Sequence, residues 1–253
     1  MFEERPSARV PGAVLWTVAP DPAAPGTPAR PVVPDGCMDI VWTPGRVFVA
    51  GPDSRARLPD GGPATLHVGL RFAPGDAPDV LGVPARALLD QRVDLDALWP
   101  ARGVRDLTAR LDTYAAHRRH ALLEDSVLAR DPAPEPWLRP LVAALAAGRP
   151  VAATADALGL GARTLHRRSL RAFGYGPKTL ARVLRLQRAL ALAWDGTPYG
   201  ETAYAAGYAD QAHLAREVRD LTGLSLGAYL GDRAQPSGAN SDTSPPSGSA
   251  TVA

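Results

Sequence analysis

One run constrains this chain more than any other: Pro177 to Trp194, 18 residues with no glycine and no internal proline. Proline is tolerated at the first position of a helix, so the run predicts a single helix of about 27 Å at 1.5 Å per residue. Leu180, Val183, Leu184, Leu190, Ala191 and Trp194 fall on one side of it, and Arg182, Arg185 and Arg188 on the other. A rod of this kind organises whatever is attached to its ends. Here both ends carry the same pattern: a breaker, an amphipathic helix with a polar outer face, and a glycine stop.

Before the rod, Gly161 precedes a helix over 162–173 that stops at Gly174. Leu165, Ser169 and Ala172 share its inner face. Arg163, Arg167 and Arg171 lie opposite, with Thr164 and His166 at the flanks. After the rod come a short helix over 200–206, a turn at Gly207, and Asp210 as N-cap of the next helix. There Leu214, Val218 and Leu221 recur at i, i+4, i+7 ahead of Gly223, which leaves Gln211, Ala212, His213 and Arg216 at the exposed N-terminal end. These are two helix-turn-helix units in tandem. Adjacent major grooves on one face of DNA lie ~34 Å apart, within reach of two units set on such a rod. Arginine suits guanine, glutamine suits adenine, and alanine suits the thymine methyl. The reading assigns base contacts to Arg163, His166, Arg167, Gln211, Ala212, His213 and Arg216. Phosphate contacts fall to Arg168, Arg171, Lys178, Arg182, Arg185 and Arg219.

Charge supports this placement. Residues 1–130 hold 15 arginines against 16 carboxylates, whereas 162–194 hold seven arginines and Lys178 with no acid at all. A one-signed block in a nearly neutral chain is the footprint of a polyanion-binding surface, because solvated faces usually mix signs. The single cysteine, Cys37, excludes a disulfide framework and a cysteine-rich zinc site. No apolar run is long enough to span a bilayer, and the N-terminus has no apolar signal core, so a cytoplasmic protein without membrane contact is expected.

The chain divides at Asp131–Pro136, which holds three prolines in six residues and reads as an extended linker over 131–136. Residues 1–130 form a β-rich and then helical first domain, 137–233 the helical second, and 234–253, rich in Ser, Pro and Gly, a disordered tail. In the first domain, 13–18, 38–42, 46–50 and 66–72 read as strands, and the five prolines of 21–34 mark a loop. The last strand alternates Leu66, Val68, Leu70 and Phe72 against His67 and Arg71, a half-buried pattern. Short helices are expected at 85–89 and 95–98. A longer one runs from about 103 to 123 on the stripe Val104, Leu107, Leu111 and Tyr114, a packing face or a dimerisation face. His117 and His120, beside Arg118 and Arg119, read as solvated. The fold class is therefore α+β: a small N-terminal sheet or cupin-like barrel with helices, then an all-α tandem helix-turn-helix domain.

The second half resembles the AraC/XylS family of bacterial transcription regulators. The resemblance covers 137–230 and rests on Leu165-His-Arg167, Gly174-Tyr-Gly-Pro177, Arg182 to Ala189, Gly207-Tyr-Ala-Asp-Gln-Ala-His-Leu-Ala-Arg216 and Gly223-Leu-Ser-Leu-Gly-Ala-Tyr229. It implies seven helices, two recognition helices in the major groove, and the same seven base-contacting residues named above. Ser169 stands where an aromatic core residue is usual, with Phe173 placed to fill the gap. Val33 to Trp42, Ala50 to Asp53 and Val68 to Gly75 resemble the sensor-like domains of some members, which bind a small effector or mediate dimerisation. Asp35, Asp39, Trp42 and Arg71 are the candidate effector pocket. Double-stranded DNA is the implied partner, with RNA polymerase, a small-molecule effector and a second copy of the chain as further partners. No cofactor, metal site or catalysis is implied. The rival reading is a ligand-binding or enzymatic β domain carrying a helical protein-interaction module. Cys37, flanked by Asp35 and Asp39, reads as a packing residue, because nearby carboxylates raise a thiol pKa.

Overall fold

The computed structural model of the chain describes residues 2–20, 31–59 and 65–231. The expected tail and most of the proline-rich loop lie outside these residues. Six strands make one antiparallel sheet: β1 (Phe2–Pro6), β2 (Val14–Val18), β3 (Asp39–Thr43), β4 (Arg46–Ala50), β5 (His67–Arg71) and β6 (Arg92–Asp94). Their order is β1-β2-β5-β3-β4-β6. The middle four match the runs read from sequence. The charged edge strand β1 and the three-residue β6 do not announce themselves, since neither carries an alternating apolar pattern.

Alternation decides which face holds the core. Leu15, Leu70, Ile40 and Val49 stand in one register row across β2, β5, β3 and β4, and all are fully buried. On the opposite face the Trp16 indole lies across Gly69, where a β-carbon would come within 2.2 Å of the ring. The half-buried expectation for β5 does not hold. Every residue of that strand is buried, because it is central and its polar side finds partners. His67 Nδ1 lies 3.1 Å from the Thr65 carbonyl, and Arg71 meets two carboxylates.

After α1 (Ala77–Leu81), the expected short helices appear as 3-10 turns, Ala85–Ala87 and Leu95–Ala97. The long helix expected over 103–123 is instead two, α2 (Ala101–Thr113) and α3 (Ala116–Leu128), broken by extended backbone at Tyr114 and Ala115. Continuing the α2 stripe past Leu111 would bring Arg118 to the core. The break removes that cost and lets Arg119 Nε donate to the Leu111 carbonyl at 2.7 Å, satisfying an end group of α2. It also buries His120, contrary to the solvated reading. Its Nε2 sits 3.2 Å from both Thr17 Oγ1 and the Trp16 carbonyl.

The helical half contains α4 (Leu138–Ala146), α5 (Val151–Ala157), α6 (Ala162–Phe173), α7 (Pro177–Trp194), α8 (Tyr199–Ala206), α9 (Gln211–Thr222) and α10 (Leu226–Leu230). The α7 rod is buried on more sides than its apolar stripe implies. Leu180, Val183 and Leu184 join a core with α4, α5 and α6. Leu186, Ala189, Leu190 and Ala193 join a second core with α8, α9 and α10. Buried Gln187 reaches the N-terminal half, its Nε2 donating to the Pro34 carbonyl at 2.6 Å. Phe173 is fully buried and meets Trp137 edge-on at 6.3 Å, beside the small, buried Ser169.

Candidate nucleic-acid interface

Each helix-turn-helix unit fixes its outer helix by burying one stripe. On α6, Leu165, Ser169, Ala172 and Phe173 face inward, which leaves Arg163, His166, Arg167 and Arg171 exposed. No ion pair engages Arg163, Arg167 or Arg171 among the described residues. The His166 ring borders Gly176, where a β-carbon would meet it at 2.9 Å, so its position is set by the start of α7. Arg168 is half-buried and stacks over Trp137, 5.7 Å from the ring centre.

On α9, Leu214, Val218 and Leu221 face inward, and Gln211, Ala212 and Arg216 are exposed. Asp210 caps the helix as expected, its Oδ1 accepting the His213 N–H at 2.6 Å. His213 itself is half-buried. Its ring stands edge-on to Tyr208 at 5.2 Å, and Nδ1 accepts from the Ala209 N–H at 3.4 Å. Six of the seven residues assigned to bases are therefore exposed on two equivalent helices, and the seventh is partly used to hold the turn.

Apart from Arg168, which stacks on Trp137, the five cations assigned to phosphates separate into two groups. Arg171, Lys178 and Arg219 are exposed. Arg182 and Arg185 turn toward α9 instead. Arg182 Nε donates to Glu217 Oε1 at 2.8 Å, and Arg185 Nη2 lies 3.4 Å from the same oxygen. Arg185 also stacks on Tyr208 at 4.4 Å. Burial pushes the Tyr208 phenol up to about 12, against the opposing pull of Arg185. Glu217, with a side chain only 8% exposed, is the residue that sequence reasoning missed. The signal was there: it sits three residues after Leu214 and four before Leu221, on the inner stripe.

In the N-terminal half, three of the four candidate pocket residues converge. Arg71 Nε lies 3.2 Å from Asp39 Oδ1 and 3.5 Å from Asp35 Oδ2. Trp16 Nε1 donates to Asp39 at 2.7 Å, and Asp35 accepts the Cys37 N–H at 2.8 Å. Burial raises the Asp39 carboxyl against the pull of Arg71. Burial, then the neighbouring Asp35, pushes the Cys37 thiol well up, which suits a packing role over a reactive one. Trp42 does not join them. It occupies the other sheet face, where Nε1 donates to Asp112 at 3.0 Å and Arg119 stacks on its ring at 4.0 Å. Tyr175, from the turn between α6 and α7, comes up to this loop, its hydroxyl 3.8 Å from where a β-carbon on Gly36 would stand.

A helix-turn-helix domain family matches residues 154–232, which run from within α5 through α10. The C-terminal region is an AraC-type helix-turn-helix domain. This domain follows the six-stranded antiparallel sheet and helices of the N-terminal half. Residues 13–94, which hold β2 to β6, match a domain of unknown function. Among solved structures, a probable AraC family transcriptional regulator from Rhodopseudomonas palustris is 28% identical, covering 40% of this chain and 100% of its own, with a TM-score of 0.34. ToxT from Vibrio cholerae O395 is 8% identical over 90% of this chain and 96% of its own, with a TM-score of 0.46. ToxT bound to (E)-4-(8-methylnaphthalen-1-yl)but-3-enoic acid is 10% identical over 90% and 98%, with a TM-score of 0.46. No curated protein matches the chain significantly. Among the described residues, no helix is long and apolar enough to cross a membrane.

Proposed function

We propose that the chain is a sequence-specific DNA-binding regulator of transcription whose helices α6 and α9 read adjacent major grooves. The observation that carries this is the repeated exposure of base-reading side chains at corresponding places. Arg163, His166 and Arg167 stand on the first helix, and Gln211, Ala212 and Arg216 on the second, either side of one rod. Arg171, Lys178 and Arg219 supply phosphate contacts. Arg182 and Arg185 contribute by fixing α9 against α7 rather than by touching DNA. The N-terminal domain, taken as 1–130, modulates this activity, and the polar group Asp35, Asp39 and Arg71 is where a small polar effector acts. The protein works in the cytoplasm without catalysing a reaction. RNA polymerase and a second copy of the chain are its further partners.

Binding to a labelled duplex, followed by fluorescence anisotropy over a salt series, tests the reading. Each neutralised phosphate steepens the log–log salt slope by roughly 0.9, so with the three contacts named affinity should fall roughly 40-fold between about 50 and 200 mM salt. Binding that is indifferent to salt would instead favour a protein-interaction role for the helical half.

A further inference from the structure

We infer that residues 51–57, a short segment of the N-terminal half, set the separation of the two recognition helices and so select the spacing of the DNA half-elements. The inference rests on the tandem reading above. Within this one segment, Pro52 touches the end of α6 and Ala56 the end of α9. A β-carbon on Gly174, which terminates α6, would meet Pro52 Cγ at 2.8 Å. The Ala56 N–H donates to the Leu221 carbonyl, in the last turn of α9, at 2.7 Å. Three residues separate these contacts, four steps along the chain and a reach of about 14 Å at most.

The segment is braced. Asp53 accepts two hydrogen bonds from Arg92, at 3.1 and 2.7 Å. Ser54 donates its N–H and its hydroxyl to Asp90, at 2.7 and 2.8 Å. Arg57 donates to the Asp90 carbonyl at 2.7 Å, and the Asp90 N–H donates to the Pro52 carbonyl at 2.9 Å. Asp90 adopts φ 58°, a left-handed conformation unusual for a residue other than glycine, held by these bonds. Gly51 packs so closely on the Leu88 carbonyl that a β-carbon would stand 1.8 Å from it. The brace continues through the Val32–Arg57 bridge to Val33, which packs into the second unit's core.

Such a brace has work to do because the two helix-turn-helix cores share α7 alone. A one-base-pair change in spacing moves a half-element by about 3.4 Å and turns it by roughly 35°. A rod joining two separate cores bends more readily than a rod tied at both flanks. The contacts fall at the C-terminal ends of α6 and α9, and the base-reading side chains stay exposed.

The test uses the full chain and a duplex library holding its two selected half-elements at every spacing within a few base pairs of the preferred one. Two variants are compared with wild type: Ala56→Pro, which removes the N–H to Leu221, and a two-glycine insertion between Arg55 and Ala56. Wild type should retain one spacing. Each folded variant should keep the base preferences of both half-elements while its discrimination against neighbouring spacings falls about fivefold, or about 1 kcal/mol. The insertion decides the matter if Ala56→Pro does not fold. Unchanged spacing discrimination with intact half-elements overturns the inference alone. Absence of any half-element in wild type overturns the tandem reading, and the inference with it.

Discussion

Replacing Glu217 with glutamine separates the structural arginines from the DNA-facing ones. Glu217 Oε1 accepts from Arg182 at 2.8 Å and Arg185 at 3.4 Å, and its own side chain is only 8% exposed. Glutamine keeps the shape and removes the charge. A hydrogen bond to a charged group contributes about 1.5–3 kcal/mol when well formed. Here the two arginine side chains are 39% and 32% exposed, so water replaces part of what is lost. The second bond is also long. The net loss should be about 1–2 kcal/mol, since exposed pairs contribute little and buried ones more. For a chain of this size that lowers the thermal midpoint by roughly 2–8 °C. The same substitution releases two cations next to the proposed interface. The salt slope for duplex binding should therefore steepen by about one to two, because each added phosphate contact contributes roughly 0.9. Calorimetry and anisotropy read the two effects. If stability and salt slope both stay at wild-type values, Arg182 and Arg185 are not held by Glu217, and their assignment to the α7–α9 seam is wrong.

Other expectations follow from single contacts. Asp210→Ala removes the cap on α9 and should destabilise the protein by about 1 kcal/mol, seen as a lower thermal midpoint; an unchanged midpoint would mean the cap contributes nothing. Gly69→Ala should cost about 1–3 kcal/mol in urea unfolding and shift tryptophan fluorescence, because the new β-carbon displaces the Trp16 indole from its place beside Asp39. Burial pushes Asp76 up to about 6 despite its 2.5 Å pairing with Arg139. The folded state therefore binds a proton that the unfolded state releases nearer pH 4. Stability from this group is greatest below that and is lost as pH rises through about 6. Relative to Asp76→Asn, wild type should lose about 1–3 kcal/mol between pH 4 and 7; parallel pH–stability curves would refute this. Native Cys37 should react with iodoacetamide more slowly than the unfolded chain, by intact mass, because it is half-buried and its pKa is raised.

The helical half was legible because its punctuation is local. Gly161, Gly174, Pro177, Gly207 and Gly223 sit at element ends, and the bounds of α6 and α7 follow directly from them. The outer arginines of α6 could be read because the inner stripe is apolar. The fate of Arg182 and Arg185 could not be read from α7, since their partner lies 32 to 35 residues on, in another helix. The same holds for the sheet. Asp39 and Arg71 meet because β3 and β5 are neighbours in register, a pairing no short-range pattern carries. That same alternation turns Trp42 to the far face, a separation already implied by its odd spacing from Asp39. The break between α2 and α3 shows a continuous-looking helical stripe yielding to the cost of burying Arg118.

The most direct test of the central claim is selection from a random duplex pool by the purified full chain, with Arg167→Ala and Arg216→Ala run in parallel. The account predicts one enriched motif with two half-elements about one helical turn apart. Arg167→Ala should blur one half and Arg216→Ala the other. No enrichment over the input at low salt, or a motif that both variants retain unchanged, would contradict it.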